Sequence, residues 1–154
     1  MATQLKDEIR QTKPFGSLEQ EAHLSIERTA AVLSHAMAEA LKEQGVTSTQ
    51  YNVLRILRGA GDEGLCRGEV RDRLVSQVPD VTRLLDRLEA AGLVERERGT
   101  DDRRYVTTRI TAGGQALLER LDAPVEALHR DLLGHLDDGE LRTLIALLAK
   151  VRAR

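Results

Sequence analysis

Between Ser76 and Ile110 the chain gathers the residues best suited to chemistry with a partner. Thr82, Arg83, Asp86 and Arg87 lie on one face of a helical run, with Pro79 flanking it. Val81, Leu84, Leu85 and Leu88 recur at i, i+3, i+4 and i+7 and commit the other face to a core. Arg103 and Arg104 stand in GTDDRR, a polar tip between two short strand-like runs. An arginine fork holds guanine bidentately in the major groove and is drawn to the negative potential of a narrow minor groove. The spacing therefore describes a groove-reading helix with an arginine-tipped hairpin beside it. The plainer alternative is a solvated helix face and hairpin tip, whose arginines meet acidic neighbours or an acidic protein partner.

Other chemistries are poorly supplied. The glycine-rich GAGDEG at Gly59–Gly64 lacks the Lys-Ser/Thr pair and the strand context of a phosphate-binding loop. His23, His35, His129 and His135 fall at no metal-ligand spacing, and one cysteine, Cys66, excludes an internal disulfide and a cysteine-based zinc cluster within one chain. Cys66 precedes Arg67 near a helix start, where a lowered thiol pKa would allow a redox switch. A small residue packed between helices is the simpler reading. With no nucleophile–base spacing, phosphate loop or metal set, neither an enzyme nor a cofactor is expected.

The elements that must position these residues follow from apolar period and caps. Residues 1–16 read as an arm or short helix. Ser17 with Gln20 forms a capping box ahead of a helix about 40 Å long at 1.5 Å per residue, striped by Leu18, Ala22, Ile26, Ala30, Leu33, Met37 and Leu41 and stopped by Gly45. Thr47 and Gln50 repeat the box before Tyr51–Arg58, and Cys66–Val75 is a third, short helix with Cys66 where a capping Ser or Thr would stand. The Ser76–Pro79 bend opens the arginine-bearing helix, with Pro79 in its first turn. Leu93–Arg98 and Tyr105–Ile110 read as the hairpin strands, and the alternating Glu95, Arg96, Glu97 and Arg98 as strand-face charges. Thr111 caps a long helix expected to break or bend at Pro124, and Asp137 with Glu140 starts the last. The order predicts a mainly α chain with a small β-hairpin wing: an arm at 1–16, a long helix at 17–46, a winged helix-turn-helix at 47–110, and long helices at 111–154. The outer helices carry apolar stripes too wide for one small module to cover, so they are expected to bury one another across a twofold axis as the dimerisation region.

Composition limits how such a module could hold nucleic acid. The net charge of −2 and pI near 6.1 exclude a histone-like binder dependent on bulk positive charge. Residues 64–110 hold ten Lys and Arg against nine Asp and Glu, only slightly more basic than the flanking segments. Few phosphate contacts per subunit make a dimer that doubles them attractive. Aromatics at 2% favour Leu/Ala/Val-packed helices over a sheet sandwich. No run of about 18 apolar residues offers a membrane span and the N-terminus lacks a signal peptide's apolar core, so a cytoplasmic protein is expected.

VTRLLDRLEAAGLVERE at Val81–Glu97, DRR at Asp102–Arg104 and RITAGG at Arg109–Gly114, with weaker support from TSTQYNVLRIL and LDDGELRTLIALL, resemble the MarR-type transcriptional regulators from about Ser17 to Val151. The resemblance implies a homodimeric winged-helix protein that binds a pseudo-palindromic operator on double-stranded DNA. Such proteins usually act as repressors relieved by a small ligand or by oxidation, the ligand being an aromatic acid or phenol. It implies DNA contacts from Ser76, Gln77, Pro79, Thr82, Arg83 and Arg87 around the reader helix, and from Asp102, Arg103 and Arg104 at the wing. Arg103 would lie in the minor groove, with Asp102 orienting Arg103 or an arginine of the reader helix. A histidine or Tyr51 would line a ligand pocket between the long helices and the winged module. Two departures stand out: Val78 and Asp80 occupy positions where the family often has small or basic residues, and no cysteine lies in the first long helix, where the family's oxidation sensors carry theirs.

Overall fold

The computed structural model describes residues 3–153; residues 1–2 of the expected arm and residue 154 of the expected C-terminal helices lie outside the described residues. The arm forms one helical turn, α1 (Leu5–Glu8), linked to the next helix by a Glu8–Arg28 ion pair of 3.7 Å. Ser17 accepts from the Gln20 amide to cap α2 (Leu18–Lys42), and Thr47 and Gln50 close a reciprocal box at the start of α3 (Ser48–Ala60). A 3-10 turn at Gly61–Glu63 leads to β1 (Leu65–Cys66), which runs directly into α4 (Arg67–Arg73). After the Ser76–Pro79 bend come α5 (Val81–Ala90), β2 (Val94–Arg98) and β3 (Val106–Ile110). Thr111 then caps α6 (Ala112–Leu133), and an Asp137–Glu140 box opens α7 (Asp138–Arg152).

Three features depart from the expectations. The hairpin is part of a three-stranded antiparallel sheet ordered β1-β3-β2, with Leu65 opposite Thr108 and Val94 opposite Ile110. Two-residue β1 is too short to show a period of its own, and it exists because β3 offers it an open edge. Pro79 is not in the first helical turn: Asp80 is the N-cap, its carboxylate accepting from the Arg83 amide at 2.9 Å, so Pro79 lies outside the helix. Finally, α6 passes through Pro124 without breaking. Leu117, Leu118, Leu121 and Val125 are buried on both sides of the proline, and their packing holds the helix across the missing hydrogen bond.

The core gathers Leu41 of α2, Val53, Leu54 and Leu57 of α3, Val70 of α4, Val81, Leu85 and Leu88 of α5, Val94 of β2, and the α6 leucines. The helix-turn-helix and the base of α6 thus share one interior, and α5 is seated by the face its period marked. Two glycines set the exits. Gly92 adopts φ +71°, turning the chain from α5 into β2, and a Cβ at Gly114 would overlap the Leu93 carbonyl oxygen where α6 crosses the hairpin. The result is a winged helix-turn-helix flanked by long helices. α7 contributes no buried residue, and Ile145, Leu147 and Val151 are 64%, 57% and 49% exposed.

Candidate nucleic-acid interface

The outer face of α5 presents Thr82, Arg83, Asp86 and Arg87 to solvent while Val81, Leu85 and Leu88 face the core. The helix carries as many acids as arginines on its surface, and their pairing decides which sign faces outward. Arg96, half-buried on β2, reaches across to both Asp86 (2.6 Å) and Glu89. Its hydrogen bond holds the Glu89 carboxyl below the usual range, and Glu89 in turn raises the Arg96 guanidinium above its ordinary value. A single strand-face cation thus engages both acids of α5 and offsets one of their two negative charges. Among the described residues no ion pair engages Arg83 or Arg87. Asp80, an expected source of repulsion, is occupied in capping α5.

At the wing the tip is folded by its own polar groups. Gly99 donates to the Tyr105 carbonyl at 2.8 Å, and Tyr105 donates to the Asp102 carbonyl at 3.0 Å. Asp102 does not orient Arg103 or a helix arginine, as the resemblance implied. Its carboxylate accepts from the Arg104 amide at 2.9 Å and from Arg104 Nε at 3.2 Å. Those bonds, the amide's first, hold the Asp102 carboxyl below its ordinary value. The nearest donors win because an i to i+2 turn brings them within reach, leaving the exposed Arg103 without an ion-pair partner among the described residues. Below the tip, Arg109 braces the wing stem, pairing with Glu97 at 2.7 Å and donating Nε to the Asp62 carbonyl.

Ser76, Gln77 and Pro79 are exposed on the turn between α4 and α5, which is pinned to α3 where Val75 N donates to Asn52 Oδ1 at 2.9 Å. The turn leads directly into α5, and Thr82 of α5 lines one cavity with Arg104 and Tyr105 of the wing. A residue that periodicity did not single out joins them: Arg67, at the start of α4, donates Nη1 to Thr82 Oγ1 at 2.9 Å. Cys66 is half-buried at the N-cap of α4, and its amide donates to Glu69 Oε2 at 2.8 Å, the glutamate's half of a capping box. That bond holds the Glu69 carboxyl below its usual range. No cluster of metal-ligating side chains occurs among the described residues, and no described helix is long and apolar enough to cross a membrane.

Behind this surface lies a cavity of about 360 Å³ between α2, α3 and α6. Leu33 and Met37, Tyr51 and Asn52, and His129 line it, and Val75 and Ser76 of the turn close one side. Tyr51 and His129, two of the expected pocket candidates, therefore meet there; His23, His35 and His135 do not. A bidentate pair joins the winged module to the long helix nearby, Arg58 donating to Asp122 at 2.8 and 2.9 Å.

Comparison with known proteins places this architecture. A model of the MarR family matches residues 44–104. The multiple antibiotic resistance protein MarR of Escherichia coli (strain K12) is 35% identical over 114 residues, spanning 73% of this chain and 78% of that protein. A crystal structure of a mutant E. coli MarR complexed with operator DNA superposes with a TM-score of 0.77 at 28% identity, covering 97% of this chain and 99% of that one. BpsR of Bordetella bronchiseptica, solved to explain regulation of its DNA binding by 6-hydroxynicotinic acid, superposes at 0.76 with 25% identity, covering 86% and 98%.

Proposed function

The chain belongs to the MarR family of transcriptional regulators, and on that premise we propose that it is a homodimeric repressor. It reads a pseudo-palindromic operator with α5 and the wing, and a small aromatic or phenolic effector releases it. The observation that carries the reading is the charge arrangement on α5. Arg96 engages Asp86 and Glu89, while Arg83 and Arg87 face outward and, like Arg103 on the adjacent wing, have no ion pair among the described residues. In this reading Thr82, Arg83 and Arg87 enter the major groove, and Ser76, Gln77 and Pro79 lie along the phosphates at its edge. Arg103 enters the neighbouring minor groove, and Asp102 with Arg104 shapes the tip that carries it. Residues 17–46 and 111–154 serve as the dimerisation region, setting two copies of α5 about one DNA turn, roughly 34 Å, apart.

The cavity explains how an effector would act. Its walls belong to the long helices on one side and to the turn before α5 on the other, so an occupant in contact with Val75 and Ser76 bears on the path into the reader helix. A ligand that prefers the geometry with the two α5 helices out of register lowers DNA affinity by its preference for that state. The test is a titration of a pseudo-palindromic duplex from the chain's own promoter against a scrambled duplex, at two salt concentrations and with and without hydroxylated aromatic acids. The operator duplex is expected to bind more tightly at both salts and to be released by an acid of this class. Equal affinity for the two duplexes would remove sequence-specific regulation. An operator preference that no such acid weakens would remove the effector alone.

A further inference from the structure

We infer that Arg67 biases Thr82 toward donating in the major groove, and with it operator choice against cytosine at one position in each half-site. The inference rests on the operator reading above and adds a residue that sets its specificity. A threonine hydroxyl ordinarily both donates and accepts, and so tolerates base edges of either kind. Here one of the two lone pairs of the Thr82 oxygen already accepts from the Arg67 guanidinium at 2.9 Å, a charge-assisted bond between the two helices of the helix-turn-helix, and the cation beside it repels a second donor. Its proton, by contrast, has no acceptor among the described residues. The hydroxyls of Thr143 and Thr111 show the other arrangement, donating to the Gly139 carbonyl at 2.8 Å and to the Gly92 carbonyl at 2.6 Å. Thr82 is exposed on α5, so its hydroxyl is free to donate to a partner outside the chain.

Arg67 is itself exposed and has no acidic partner among the described residues, so its full charge stays beside the hydroxyl. A donor next to a cation is matched by the acceptors of guanine (O6 and N7), adenine (N7) and thymine (O4). It is mismatched to cytosine, whose major-groove edge offers only an amino donor. Removing Arg67 frees the occupied lone pair and takes away the charge that repels an amino donor, and with them goes the bias against cytosine. Arg67 is thus a positioning residue that acts through Thr82.

The test is selection of bound duplexes from a pool randomised across both half-sites, using the full chain and its Arg67→Ala, Arg67→Lys, Thr82→Val and Arg67→Ala/Thr82→Val variants, each checked for an unchanged melting transition. The wild type is expected to enrich a two-half-site motif with one cytosine-depleted position per half. Arg67→Ala and Thr82→Val should each weaken that depletion about fivefold, the low end of a single mismatch cost. The double variant should weaken it no further, and Arg67→Lys, which can still donate, should keep it. A motif without such a position, or depletion that survives Arg67→Ala, would overturn the inference while leaving the operator reading intact. A wild type that enriches no motif overturns the operator reading itself, and this inference with it.

Discussion

Arg103 and Arg104 are neighbours in the chain yet differ in what they leave for a partner. Arg104 closes on Asp102 through its side chain and its amide, whereas Arg103 stands exposed beside that turn with no ion pair among the described residues. An arginine already paired must surrender that bond before it can engage DNA, so the free one is expected to contribute more. Arg103→Ala should weaken operator binding by about 1–2 kcal/mol, with Arg104→Ala costing less. Fluorescence anisotropy on one operator duplex measures both. Equal losses would count against the division of labour at the tip, and an unaffected Arg103→Ala would favour the winged helix as a protein-binding module. The residue types behind this prediction were legible in the sequence, because guanidinium chemistry and helical spacing are local properties. Their partners were not. Arg96 read as a mere strand-face charge, and Asp102 as a support for Arg103, because an ion pair is decided by which groups the folded backbone brings within reach.

Elements were legible where their signals are short-ranged. Ser17 with Gln20, Thr47 with Gln50, and Asp137 with Glu140 mark helix starts that the structure reproduces, since a cap needs only three residues of context. β1 was not legible, because two residues beside a short helix acquire strand geometry only from β3. Nor was the seam between α3 and α6, where Arg58 and Asp122 meet across 64 positions of sequence. That seam sets how the winged module sits on the long helix, and it has a pH signature. The Arg58 hydrogen bond holds the Asp122 carboxyl below its ordinary value. A depressed carboxylate contributes stability that is fully present above the unfolded-state pKa, about 3.9, and is lost as pH falls through the lower folded-state value. Asp122→Asn should therefore lower stability at pH 7 by about 0.5–1 kcal/mol, a modest figure because the carboxylate is 46% exposed and screened by water. In denaturant titrations the gap between wild type and variant is expected to close below about pH 4. A gap that does not narrow as pH falls below about 4 would show that the loss comes from something other than the charged pair.

At the scale of the whole molecule, the apolar stripes on the outer helices were legible as periodicity, and parts of them on α2 and α7 are not covered within one chain. Leu18 and Ile26 on α2 are 81% and 39% exposed, and α7 leaves Ile145 and Val151 open at the other end of the sequence. The dimer proposed above covers that surface with a second copy and also answers the charge problem. With a net charge of −2, one subunit has few cations to set against phosphate. Each phosphate neutralised contributes about 0.9 to the slope of log affinity against log salt, so a dimer on two half-sites doubles both that slope and the contacts behind it. Ile145→Asp separates assembly from folding, because a side chain already 64% exposed can become charged without disturbing the interior of its own chain. The variant is expected to keep the wild-type helical circular dichroism, to sediment as a monomer at micromolar concentration where the wild type sediments as a dimer, and to bind the operator with about half the wild-type salt slope. An Ile145→Asp chain that still sediments as a dimer would move the interface away from α7. A monomer that kept full operator affinity would show that one copy of α5 and its wing is enough.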